Sequence, residues 1–122
     1  MAELLPSQIE GKLRDLVHVG EQLAKDYAEQ AVEAAVAEAE YRKAYARAFL
    51  TAPYDRVADK EPYAMDQCGK DGTMDRRKIS AAVADGTKQA IYTNRDAISA
   101  VQTISANLRA EFGQADRLAG GM

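Results

Sequence analysis

The chain has 122 residues, 16 basic and 19 acidic groups for a net charge of −3, and one cysteine. That length fits one domain. The charge balance argues against a nucleic-acid coat or a membrane-surface peptide, and a single cysteine excludes an intrachain disulfide. Much of the 47% apolar content is alanine, with no Trp and two Phe, so the chain favours thin helical packing and a homo-oligomer over a thick globular core.

Met1-Ala2-Glu3-Leu4-Leu5-Pro6 lacks the basic start and apolar run of a signal peptide. No stretch approaches the roughly 18 consecutive apolar residues of a membrane span. A soluble, cytoplasmic protein that does not enter membranes is expected. Charge is unevenly spread: residues 1–40 carry nine acids and three bases, and residues 41–78 carry nine bases and six acids. The middle of the chain is its basic part.

The first predicted element is a helix over residues 8–52. Ser7 and Glu10 form a Ser-x-x-Glu capping box at its start. Ile9, Leu13, Leu16, Gly20, Leu23, Tyr27, Gln30, Ala34, Ala37, Tyr41, Ala44 and Ala48 then alternate steps of four and three, a heptad register of apolar or small members. At 1.5 Å per residue such a helix reaches on the order of 60 Å and needs a partner of similar length. Gly20 falls on this seam, where close approach of a second backbone explains it; Gly11 has no such account. Pro53 stops the helix near Thr51.

Residues 53–73 read as a long loop, because Pro53, Pro62, Gly69 and Gly72 interrupt it, with short helical turns at 54–58 or 63–67. Loops of this length tend to be functional or disordered. A second helix is predicted over 74–112. Thr73 caps it, Gly113 stops it, and Arg109 in its last turn suits the helix dipole. Its stripe is Ala84, Thr87, Ile91, Asn94, Ile98, Val101, Ser105, Leu108 and Phe112, widened by Ile79, Val83, Ala90, Ala97 and Ile104. Residues 113–122 read as a frayed tail. The expected fold is all-α: two long helices in an antiparallel, coiled-coil-like hairpin with a long connecting loop. Each stripe is wider than one seam needs, and the excess suits a second hairpin.

Candidate chemistry is sparse. His18 has no partners at ligand or catalytic spacing. Cys68 lies beside Gly69 with no second Cys or nearby His, and reads as an incidental thiol. The segment from Asp66 to Asp75 does not match a calcium loop. Glu33, Glu38 and Glu40 read as a solvated face. No enzyme and no cofactor or metal site is expected. One constellation stands out. Arg42, Lys43 and Arg47 close the first helix, and Arg76, Arg77 and Lys78 open the second. A hairpin brings both triplets to one end, among Tyr41, Tyr45, Phe49, Tyr54 and Tyr63. Tyr45 with the six cations forms a candidate contact for single-stranded nucleic acid or a phosphate-bearing ligand.

Residues 38–50, Glu-Ala-Glu-Tyr-Arg-Lys-Ala-Tyr-Ala-Arg-Ala-Phe-Leu, resemble the end of the first helix in a group of small bacteriophage proteins. Residues 104–112, Ile-Ser-Ala-Asn-Leu-Arg-Ala-Glu-Phe, resemble their Leu-Arg-x-Glu ending. The resemblance covers the helices and not the Pro/Gly loop. It implies a helical hairpin, a phage origin with a host-cytoplasmic location, and a non-enzymatic helper role. A second, smaller resemblance is to secreted hairpins of the WXG type: Tyr92-Thr93-Asn94-Arg95-Asp96 matches their Tyr-x-x-x-Asp/Glu signal, although the Trp-x-Gly turn is absent. Three readings follow. The first is a self-associating hairpin that binds an unknown protein partner. The second is an accessory factor of phage DNA metabolism or recombination that contacts single-stranded nucleic acid through the basic end. The third is an oligomer that sequesters a small phosphate ligand.

Overall fold

A computed structural model describes residues 5–120, and side chains through residue 113. Three helices follow in order: α1 (Pro6–Thr51), α2 (Val57–Lys70) and α3 (Thr73–Gly120). No strand occurs among the described residues. The contacts divide into two units, one of residues 1–24 with 89–122, the other of residues 25–88. Helices α1 and α3 contribute to both, whereas α2 belongs to the second.

The heptad register of α1 is borne out in burial. All twelve seam residues from Ile9 to Ala48 are buried or half-buried. The α3 stripe holds from Ala84 to Leu108, and only its last member, Phe112, is exposed. In the first unit Ile9 and Val101 are buried. Asn94 is 8% exposed and donates from Nδ2 to the Leu16 carbonyl at 3.0 Å. A Cβ built on Gly20 would stand 2.7 Å from Asn94 Oδ1. The glycine therefore makes room for a polar side chain that fastens α3 to the backbone of α1. Gly11 has no neighbour within 4 Å of such a Cβ.

The second unit corrects the expected loop. Residues 57–70 form α2, and only Ala52–Arg56 and Asp71–Gly72 connect helices. Of the two expected turns, 63–67 lies inside α2, while Tyr54–Arg56 stays irregular. Pro62 sits inside α2 without ending it, because Ala64 and Cys68, one turn apart, are both fully buried. Burial of that face outweighs local propensity.

Helix ends are corrected as well. Helix α1 opens with Pro6 in its first turn, where a missing N–H costs nothing. The reciprocal cap is made by Gln8, whose Oε1 accepts from the Leu5 N–H at 2.8 Å, in place of Ser7 and Glu10. At the α2–α3 joint Asp71 caps, not Thr73. Its Oδ1 accepts from the Thr73 N–H at 2.9 Å and from the Thr73 hydroxyl at 2.6 Å. Gly72, at φ 83°, turns the chain in a conformation that costs other L-residues about 1–2 kcal/mol. Helix α3 continues past Gly113 to Gly120, since one glycine is tolerated between strong helix formers. The expected tail is therefore helical through 120, and residues 121–122 lie outside the described residues. Arg109 is not in a last turn; its Nη2 donates to Ser105 Oγ at 3.2 Å.

Candidate functional site

The basic and aromatic residues singled out in the sequence all fall in the second unit. Arg77 Nε donates to Glu38 Oε2, and Arg42 Nε donates to Glu38 Oε1 at 3.1 Å. Arg76 Nη1 meets Glu40 Oε2 at 2.7 Å. Glu33 and Glu40 are exposed, as expected of a solvated face, whereas Glu38 is half-buried, and Glu38 and Glu40 are both ion-paired. Each bridges α1 to the first turns of α3. The Arg77 guanidinium also lies 4.5 Å from the centre of the Tyr41 ring, a cation–π contact.

Electrostatics follow from this geometry. Burial pushes the Glu38 carboxyl up, but hydrogen bonds and positive charge from Arg77 and Arg42 outweigh it and hold it below the usual 4.5. The Asp71 carboxyl is lowered from 3.8, first by the Thr73 hydroxyl, then by the Thr73 N–H, with Arg76 adding to it. The Tyr45 phenol is raised, first by burial and then by Glu61, Tyr41 and Cys68.

Three of the six cations, Arg42, Arg76 and Arg77, are thus brought together but spent on Glu38 and Glu40. Lys43, Arg47 and Lys78 make no ion pair among the described residues. Tyr45 is half-buried, with its ring 6.0 Å from Tyr41 and 6.4 Å from Phe49. Lys60 lies 5.5 Å over the Phe49 ring. Tyr54 and Tyr63 meet edge to face at 5.9 Å. The Tyr41, Tyr45 and Phe49 rings run along α1, half-buried, and Tyr54 remains 48% exposed.

Arg47 and Lys70 line an open groove with Thr51, Tyr63 and Gln67. The groove lies at the C-terminal ends of both α1 and α2, where unpaired carbonyls make the field negative. Lys70, in the last turn of α2, pairs with Asp66 at 3.1 Å, and Asp71 also lines the groove, so the field works against an anionic ligand. His18 is exposed on α1, and among the described residues no three metal-ligating side chains converge.

Sequence reasoning missed the cross-helix pairing of Glu38 and Glu40. The available signal was their position on the flank of the Ala37–Tyr41 seam, where long side chains reach the partner helix. It also missed a second apolar row on α1. Ala28, Val32, Ala35, Val36, Ala39, Ala46 and Leu50 are all exposed, on the side of the helix turned from the seam. In α3, Ile79 and Val83 remain uncovered, at 63% and 47% exposure.

Among the described residues the fold is all-helical, three helices with small, alanine-rich contacts within each unit and apolar rows left open to solvent. No family model, no curated protein and no solved structure matches this chain.

Proposed function

We propose that the chain is a non-catalytic helical interaction protein, of the phage hairpin kind it resembles, which self-associates and in that form binds a macromolecular partner. One observation carries this reading. Among the described residues the buried apolar side chains are Ile9, Ala37, Ala48, Ala64, Cys68, Ala84 and Val101, four of them alanine, while Val32, Val36, Leu50, Val57, Met65, Ile79 and Phe112 are each more than half exposed. The accessible surface is 9213 Å², against about 6,500 Å² for a monomeric globular protein of this mass. A second copy is the simplest source of the missing burial.

Read as hairpin arms, α1 and α3 pair rising with falling residue numbers inside each unit. Leu13 shares a cleft with Leu108, and Leu16 bonds Asn94. Ala37 lies by Ser80, Glu38 by Arg77 and Glu40 by Arg76. An antiparallel pair sheathed by a second pair gives a four-helix arrangement. Nucleic-acid contact through the basic end draws less support, since Arg42, Arg76 and Arg77 are each already paired with Glu38 or Glu40. Sedimentation equilibrium tests the reading. A dimer or larger species in the micromolar range is expected, and a monomer at every concentration would refute it.

A further inference from the structure

We infer that the outer row of α1 in the second unit is a docking face for the same row of a second copy, the two α1 helices lying antiparallel about a two-fold axis. This rests on the self-association proposed above and names its surface. The row runs from Ala28 through Val32, Ala35, Val36 and Ala39 to Ala46 and Leu50, with Val32, Val36 and Leu50 at 64%, 52% and 81% exposure. A helix apolar on both its seam and the opposite side needs a second partner. Ala28, Val32, Ala35 and Ala39 step by four and three, and beyond the charged Arg42-Lys43 pair the row resumes at Ala46 and Leu50, the spacing by which one helix packs lengthwise on another.

Charge complementarity selects a second copy as that partner. One flank of the row carries Glu29 and Glu33 in its first half, and Lys43 and Arg47 in its second. All four are exposed, and none makes an ion pair among the described residues. The neighbouring Glu38, Glu40 and Arg42 are engaged internally. A two-fold axis sets like flank against like flank with the direction reversed. It therefore lays the acidic half of one helix on the basic half of the other. Glu29 meets the second copy's Arg47 and Glu33 its Lys43 in one register, because both pairs are centred on position 38. A parallel pair about a two-fold axis would instead set this flank against the opposite one, whose Glu38 and Arg42 are engaged internally, and would leave the four charges unmatched.

A charge swap tests this. Wild-type chain, Glu29→Lys with Glu33→Lys, Lys43→Glu with Arg47→Glu, and the fourfold swap are compared by sedimentation equilibrium at low salt. Circular dichroism confirms that each variant keeps its helix content. Each double reversal weakens association at least tenfold, and the fourfold swap restores it to within about threefold of wild type. Val36→Glu weakens association independently of salt. If the wild type associates and neither the reversals nor Val36→Glu alter it, this face is wrong and self-association stands. If the wild type is monomeric throughout, both fail.

Discussion

Gly11 and Gly20 have the same residue type in the same helix and opposite reasons to be there. Replacing a helical glycine with alanine gains about 1 kcal/mol of propensity. At position 11 nothing opposes that gain, so Gly11→Ala raises stability by about 1 kcal/mol in urea unfolding. At position 20 a methyl would meet Asn94 Oδ1 at 2.7 Å, which forces the amide away from the Leu16 carbonyl and forfeits a buried hydrogen bond. Gly20→Ala therefore gains less than Gly11→Ala or lowers stability outright. The Gly20→Ala, Asn94→Ala double variant is non-additive, because both changes act on one contact. An equal gain at both glycines would overturn this account.

Glu38 gives the chain a pH dependence of definite sign. Its carboxyl binds protons less readily when folded, so its contribution is complete above about pH 4.5. That contribution is lost as pH falls through the lower folded value. Asp71 acts in the same sense from 3.8 downward. Thermal midpoints followed by circular dichroism should stay level near neutrality and drop below about pH 4.5. Glu38→Gln should flatten part of that drop. A midpoint insensitive to acid in the wild type would remove the carboxylate from the stability argument.

Among the elements, α2 separates what sequence patterning conveys from what it hides. The α1 seam was readable because twelve positions repeat the same spacing, and no single exception breaks the average. The α2 face has only Ala64 and Cys68 as buried anchors, two small residues that carry little hydrophobic signal. Two prolines and two glycines nearby argued for a loop, and only the burial of that face decides otherwise. Pro62 lies well inside α2, where it withholds an N–H from the Ala58 carbonyl. Pro62→Ala should stabilise the protein by up to ~3 kcal/mol, read as a shift of the urea midpoint. No gain would mean that the proline is matched to a bend the packing requires.

For the whole molecule, the sequence conveyed the helical class and the long stripes but misjudged the charges. The basic triplets were visible as composition, and their partners were not, because pairing Glu38 with Arg77 spans 39 residues. The open apolar rows bear on stability directly. A chain that completes its burial in a second copy melts at a temperature that rises with protein concentration. Melts over a hundredfold concentration range should show that rise, and a constant midpoint would count against association in the folded state.

Cys68 matters for how such experiments are read. Its sulfur has no accessible surface, so two folded copies cannot join through it whatever their arrangement. Any covalent dimer on a non-reducing gel would report molecules whose α2 had already opened, and labelling of the thiol would time that opening. Oligomers held together while native therefore disperse in denaturant without a reductant.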